Sequence, residues 1–198
     1  IDSTLTVKAK AYRTDLLASP TATAGFSRDT DFTPLSVANL KVWWRADAGA
    51  SPSGDFVTDQ SGNGNHGLAA GGATVAKLIP AAQNGLPVLR FDGSSDYLKF
   101  TTRLTTIRTA FWVLKEDVAA TSSERYLLGD VAIGSFDFQG GVGAPGTIFG
   151  TSASASVRNG STFLNGVGVN GTTTLRPRTM SVISVVTTGN TTSDSFGT

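Results

Sequence analysis

The chain has 198 residues, enough for one β domain of ordinary size and a small additional piece. Its 16 Lys and Arg residues nearly balance its 15 Asp and Glu residues, so no strongly charged surface indicates nucleic acid, an anionic membrane or an acidic substrate as a partner. The absence of cysteine excludes disulfides, a thiolate nucleophile and a cysteine-based metal site. No run approaches the roughly 20 apolar residues of a membrane-spanning helix, so we expect no membrane insertion.

The first residues alternate between apolar and polar side chains, which is typical of half-exposed strands. One such run begins at Leu5 and a second extends from Thr21 to Phe26, with a turn expected at residues 13–15. Residues 27–36 are polar and contain proline, which predicts a linker after this pair of strands.

The tract TVKAKAYRTDLLASPTATAGF within residues 1–26 resembles the last strands of the immunoglobulin-like domain at the C-terminus of chitobiases and hexosaminidases. The resemblance implies that residues 1–26 end a spacer domain. The alternative is an N-terminal hairpin docked on the edge of the following domain.

Strand-like runs separated by dense turns occupy residues 40–100. Leu40–Ala46 predicts the first strand of the main domain, and Val75–Ile79 predicts a short one. Val88–Phe91 and Tyr97–Phe100 are expected to pair across the turn between them.

The second half of the chain continues this pattern. Ala110–Leu114 is apolar throughout, which predicts a central strand covered on both faces. Asn-Gly pairs at Asn159, Asn165 and Asn170 predict hairpin turns. Met180–Thr187 is the last strand that the pattern indicates. Shorter strands are predicted at Tyr126–Asp130, Phe136–Phe138, Thr147–Phe149, Ser156–Arg158 and Thr162–Val169. Residues 37–198 are therefore expected to form an all-β, two-layer antiparallel sandwich.

Four motifs in this order, WWRADAG, DQSGNGNHG, NGLPVLRFDG and DYL, resemble the first half of a laminin-G-like domain of the concanavalin A-like lectin and glucanase superfamily. The resemblance implies a jelly-roll sandwich in a large extracellular or bacterial surface protein, with a non-catalytic role in which rim loops bind carbohydrate or a protein partner. The alternative is a purely structural β module of a fibre, adhesin or phage-like appendage.

The laminin-G-like pattern ends with a strand that returns beside the first strand, and no such segment follows Thr187. We therefore expect that the natural polypeptide continues past Thr198, or that another chain supplies this strand.

Catalytic patterns are weak. Glucanases on this sandwich carry two carboxylates on one strand as Glu-x-Asp-x-x-Glu, which this chain lacks. Glu116 and Glu124, the two glutamates, are expected to be solvated surface acids. His66 is the single histidine, and the sequence has no Gly-x-Ser-x-Gly motif that would supply a nucleophilic serine for it. We therefore expect His66 to pack a turn. The sequence predicts no enzyme.

Oxygen-bearing side chains alternate in the segment from Asp59 to Asn65, and such loops can converge on calcium. The competing interpretation is that Asp59 and Asn63 accept hydrogen bonds from nearby backbone amides in Asx turns. Related laminin-G-like domains often hold calcium at the rim, which implies Asp47, Asp59 and Asn63 as candidate ligands. Asp92 and Asp96, which bracket a turn, are weaker candidates.

Trp43 and Trp44 are adjacent, so on a strand they face opposite sides. We expect one of them in the core and the other outside or under a loop. Trp112 is expected in the core.

Overall fold

The computed structural model describes residues 5–9, 19, 21–26, 33–69, 75–134 and 136–197. The chain divides into two compact units, Ile1–Leu40 and Lys41–Thr198. The turn expected at residues 13–15 and most of the expected linker lie outside the described residues.

The first unit contains an antiparallel pair of strands. β1 (Leu5–Ala9) pairs with β2 (Ala22–Phe26), with Leu5 opposite Phe26. The prediction of two paired strands here is confirmed. Farther along, a 3-10 turn at Pro34–Ser36 is capped by the Thr33 side chain, which accepts a hydrogen bond from the backbone N–H of Leu35.

The second unit is rich in antiparallel β structure. Its elements are β3 (Phe56–Val57), β4 (Gly67–Ala69), β5 (Lys77–Gln83), β6 (Leu86–Arg90), β7 (Leu98–Leu114), α1 (Ala155–Arg158), β8 (Ser161–Leu164), β9 (Val167–Val169) and β10 (Ser181–Phe196). A six-stranded sheet has the order β3-β4-β7-β10-β8-β9, and β5 with β6 forms a separate two-stranded sheet. The prediction of an all-β class with antiparallel pairing is confirmed at this level.

The two longest strands, β7 and β10, form the centre of the six-stranded sheet. They pair without a break from Ser181 opposite Leu114 to Val186 opposite Thr109, and register shifts follow. β10 continues to Phe196, well past its predicted end at Thr187. The continuation is polar, but its inward hydroxyls are satisfied, since Thr191 Oγ1 donates to the carbonyl of Ile107.

One face of this sheet carries the core. Trp112 and Ile183 on the central strands are buried against side chains from the segment between β7 and β8. The members from that segment include Leu127, Phe138, Ile148, Phe149 and Val157.

That segment forms isolated bridges and turns in its described part, so the strands predicted at 126–130, 136–138 and 147–149 are wrong. The run QGGVGAPGTIFG at residues 139–150 explains part of the error, because glycine weakens strands. Ser156–Arg158, also predicted as a strand, lies entirely within the α1 helix, so that prediction is wrong too.

Two further strand predictions are wrong. Leu40–Ala46 forms no ladder, although Arg45 bridges to Ala48. β6 pairs with β5 instead of with Tyr97–Phe100. The reason is local, because Asn84 and Gly85 between β5 and β6 have φ of 49° and 77° and close a tight hairpin.

The Asp92 turn does not join a hairpin. Asp92 Oδ1 accepts backbone N–H groups from Ser94, Ser95 and Asp96, and Asp96 Oδ2 accepts the N–H of Asp92. These bonds form a closed bend, and the N–H groups of Ser95, Asp96 and Ser94 that Asp92 accepts lower its pKa well below the ordinary value.

Ala110–Leu114 is central, as predicted, but one of its faces is open. Trp112 is 6% exposed, whereas its neighbours Phe111 and Val113 are 71% and 70% exposed. Among the described residues, no helix has the length and hydropathy of a membrane span.

Candidate functional site

A buried carboxylate organises the Asp59 loop, residues 58–66. Asp59 is 6% exposed. Its Oδ1 accepts the backbone N–H groups of Trp43 and Ser61, each at 2.9 Å. Its Oδ2 accepts the N–H of Asn65 at 3.0 Å and the hydroxyl of Ser61 at 2.7 Å. The carboxylate therefore fastens the loop to the segment that carries Trp43.

These contacts determine the charge of Asp59. Burial raises the pKa of the carboxyl, but the hydrogen bonds from Trp43, Ser61 and Asn65 together lower it below its ordinary value. The group is thus ionised at neutral pH, with its charge balanced by N–H donors. The Asx-turn interpretation of Asp59 is confirmed.

The other two predicted calcium ligands have different partners. Asn63 Nδ2 donates to the carbonyl of Lys41 at 3.2 Å and to Ser61 Oγ at 3.1 Å. Asp47 accepts Nε and Nη2 of Arg45 at 3.0 and 2.5 Å, and this pairing lowers the pKa of Asp47. The structure thus joins Asp59 and Asn63 through Ser61, whereas Asp47 pairs with Arg45.

The carboxylate oxygens of the candidate calcium ligands already accept hydrogen bonds in this arrangement. Calcium takes six to eight oxygen ligands, several of them carboxylate oxygens. Both oxygens of Asp59 accept two hydrogen bonds each, and both oxygens of Asp47 accept bonds from Arg45. Calcium at Asp47, Asp59 and Asn63 stays a prediction.

His66 packs the same loop. Its Nδ1 accepts the backbone N–H of Asp59 at 3.1 Å, and its ring centroid lies 5.5 Å from that of Phe56. Its carbonyl accepts the N–H of Thr101 on β7. The predicted turn-packing role of His66 is confirmed.

The side chains of the two adjacent tryptophans lie in different surroundings, as predicted. Trp44 packs edge-on against Phe100 at 4.8 Å and donates its indole N–H to the carbonyl of Asn65. Gly67 permits this approach, because a Cβ at that position would lie 2.7 Å from the Trp44 ring. Trp43 is half-buried, with the Arg45 guanidinium 5.4 Å from its ring centroid.

Glu116 is buried, which the sequence did not predict. Its Oε2 accepts Nε of Arg176 at 2.8 Å, and both side chains are almost inaccessible. Arg176 also donates to the carbonyls of Gly141 and Thr147, so the pair fixes the glycine-rich loop. The expectation of a solvated Glu116 is wrong because its partner is distant in sequence. Glu124 accepts the hydroxyl of Tyr126.

An open cleft of about 670 Å³ lies where the chain enters β8 and leaves β9. Its lining is formed by Arg158, Asn159, Gly160, Ser161, Thr162, Phe163, Gly168, Val169, Asn170, Gly171 and Thr172. Phe163 is half-buried, and its cross-strand neighbour Gly168 has no side chain to cover the ring. The cleft therefore combines an aromatic ring with polar loop residues.

Two exposed side chains at the cleft have unused hydrogen-bonding capacity. Arg158 donates its Nε to the carbonyl of Ala153 at 2.8 Å, which orients the guanidinium and leaves its terminal nitrogens without a bond to any described residue. The Asn159 side chain is exposed and likewise has no hydrogen-bond partner among the described residues. These are the groups that a ligand could use.

The Asn-Gly pairs explain how the cleft forms. Asn165-Gly166 makes the predicted hairpin turn between β8 and β9, with φ of 51° and 80°. Asn159 instead caps the C-terminus of α1 with its backbone N–H. Asn170 Oδ1 accepts the N–H and hydroxyl of Thr172 in an Asx turn. The sequence thus indicated the loops of this cleft, but not their convergence.

Comparisons with protein family models, with curated proteins and with solved structures found no match. The resemblance to laminin-G-like domains therefore rests on the sequence motifs.

Proposed function

We propose that the second unit is a non-catalytic recognition module that binds carbohydrate in the cleft beside β8 and β9. The observation that carries this proposal is the pairing of exposed donors on Arg158 and Asn159 with the half-buried ring of Phe163. The cleft volume, about 670 Å³, lies within the range of small-molecule sites.

The chemistry of the cleft suits a neutral oligosaccharide. Sugar hydroxyls both donate and accept hydrogen bonds, and the Asn159 amide can do the same. The terminal nitrogens of Arg158 add donors in a fixed plane. The apolar face of a pyranose ring can pack on Phe163.

The wider setting is part of the proposal. We infer a concanavalin A-like sandwich of laminin-G type within an extracellular surface protein. The four sequence motifs, the six-stranded antiparallel sheet and the absence of cysteine support this reading.

A glycan array tests the carbohydrate proposal, followed by calorimetry with the best ligand. Asn159→Ala should weaken binding about 2- to 13-fold, because one hydrogen bond contributes about 0.5–1.5 kcal/mol. Asn190→Ala is the matched control, since Asn190 is also an exposed asparagine but lies on β10 outside the cleft.

Two results would redirect the proposal. Absence of any glycan binding would favour a purely structural β module. Binding that Asn159→Ala leaves intact, but that a chelator abolishes, would move the site to the Asp59 loop.

A further inference from the structure

Two hairpin turns of the second unit share a sequence and a backbone conformation. Asn84-Gly85 joins β5 to β6 with φ of 49° and 77°, and Asn165-Gly166 joins β8 to β9 with φ of 51° and 80°. Both asparagines are exposed. The two turns can therefore be compared for what the asparagine side chain contacts.

The contacts of the two asparagines differ. Asn165 Oδ1 accepts the backbone N–H of Val182 at 2.8 Å, and its Nδ2 donates to Ser181 Oγ at 3.4 Å. The backbone N–H of Asn165 also donates to the carbonyl of Val182 at 2.8 Å. Among the described residues, neither the Asn84 side chain nor the backbone N–H of Gly85 has a hydrogen-bond partner. The neighbouring strand thus holds Asn165, and no such contact holds Asn84.

The hairpin that carries Asn84 restrains it weakly. β5 and β6 form a two-stranded sheet of their own, and such ribbons are marginally stable in water. Next to the turn, Gln83 lies opposite Leu86, and a register shift separates this pair from Ile79 opposite Val88. Opening this end breaks few bonds, so Asn84 can change its backbone conformation while the rest of the chain stays folded.

We propose that Asn84 is a site of spontaneous deamidation in the folded protein. The backbone nitrogen of Gly85 attacks the side-chain carbonyl carbon of Asn84, and the new C–N bond closes a five-membered imide. The Cγ–Nδ2 bond breaks, and Nδ2 leaves as ammonia with the proton that the Gly85 N–H gives up. Water then adds to one imide carbonyl and opens the ring to aspartate or isoaspartate. Glycine at position 85 has no Cβ that would hinder the attack.

The three other Asn-Gly pairs are restrained at the groups that would react. Asn63 Nδ2 donates to a backbone carbonyl, and Asn170 Oδ1 accepts the N–H and hydroxyl of one threonine. At Asn159 the attacking nitrogen is engaged, since the Gly160 N–H donates to the carbonyl of Val157 at 3.1 Å. Each must first break a hydrogen bond that Asn84 lacks, so we expect Asn84 to convert about 10-fold faster.

The modification changes the charge and the backbone of the turn. A carboxylate replaces a neutral amide, which takes the formal net charge of the chain from +1 to zero. Isoaspartate also inserts a methylene into the main chain. Asn84 and Gly85 lie outside the cleft lining, so this proposal is independent of the carbohydrate proposal.

Peptide mapping by mass spectrometry tests the proposal on the full chain, incubated in mildly alkaline buffer both folded and in guanidinium chloride. Trypsin cleaves after Lys77 and Arg90, and Asn84 is the single asparagine of the peptide between them. In the folded chain Asn84 should convert about 10-fold faster than Asn165. In denaturant this difference should disappear, because each asparagine then precedes glycine and has no fixed partner.

Asn84→Gly and Asn165→Gly are matched variants, because glycine accepts the positive φ of both turns and has no amide side chain to react. Isoelectric focusing should show acidic species accumulating in the folded wild type and equally in Asn165→Gly. Asn84→Gly should remove most of this accumulation. Thermal unfolding checks that both variants are folded.

Three results would overturn the proposal. The first is conversion of Asn165 in the folded chain at the rate of Asn84. The second is an Asn84 that stays intact in the folded chain while it converts in denaturant. The third is an Asn84 that keeps the same lead over Asn165 in denaturant, because the fold would then not cause the difference.

Discussion

The Asp59 loop and the cleft beside β8 and β9 are similar in composition, since both are rich in Asn, Ser, Thr and Gly. They differ in what their polar groups contact. The carboxylate of Asp59 accepts four hydrogen bonds from its own chain. Arg158 and Asn159 at the cleft keep donors that no described residue uses. Loops of similar composition thus differ in unused hydrogen-bonding capacity, which is the property that the carbohydrate proposal requires of the cleft.

The largest expected difference between the two regions is in stability. Asp59→Ala removes the acceptor of three backbone N–H groups, so the free energy of unfolding should fall by about 2–4 kcal/mol. Asn159→Ala should change it by less than about 0.5 kcal/mol, as expected of an exposed side chain. Urea denaturation of both variants measures the difference.

Ser61→Ala is a control for the first result. It removes the hydroxyl that donates to Asp59 Oδ2 and accepts hydrogen bonds from Asn63, but it leaves the three backbone N–H groups that Asp59 accepts, so a loss of about 1–2 kcal/mol is expected. If Asp59→Ala costs no more than Ser61→Ala, the carboxylate does not fasten the loop.

The pH dependence of the unfolding free energy gives a second comparison between the Asp59 loop and the cleft. The folded-state pKa of Asp59 lies below its unfolded value, which is about 3.9. Its stabilising contribution is therefore complete above the unfolded pKa and is lost as pH falls through the folded pKa. Unfolding free energies measured from about pH 6 to about pH 2 should decline below about pH 4.

Two variants test the origin of this decline. Asp59→Asn should reduce the slope, because the amide does not titrate, whereas other carboxylates with lowered pKa values, such as Asp92, keep part of the decline. Asn159→Ala should keep the wild-type slope. An unchanged slope in Asp59→Asn would assign the decline to other carboxylates, such as Asp130, which is buried and paired with Arg103.

Local chemistry explains which features the sequence predicted. The Asn165-Gly166 hairpin was predicted, and the Asx turn at Asp59 was one of two interpretations of that loop; both depend on residues within a few positions of each other. Glu116 was misjudged because Arg176, which neutralises it, lies 60 positions away.

Apolar runs were the least reliable signal for locating strands. Leu40–Ala46 has the composition of a strand, but its Trp43 carbonyl and N–H bond to Gln60 and Asp59 of the adjacent loop instead of to a ladder. The sequence did not predict the cleft either, because the cleft also depends on contacts between distant segments. It needs Arg158 and Asn159 on one turn to face Asn170 on another, and only the β8–β9 hairpin brings those turns together.

The smallest expected effect concerns calcium, and it tests whether the Asp59 loop can become a binding site. A rim site with a dissociation constant of about 0.1 mM would stabilise the chain by about 2.7 kcal/mol at about 10 mM calcium, which corresponds to a rise in Tm of roughly 5–10 °C. The hydrogen-bonded arrangement of Asp47 and Asp59 predicts a rise of less than about 1 °C, because calcium would have to displace Arg45 and the backbone donors. Thermal unfolding with calcium and with chelator measures the shift, and Asp47→Asn identifies its source. A rise of several degrees that disappears in Asp47→Asn would establish the calcium site and show that this loop rearranges to bind the ion.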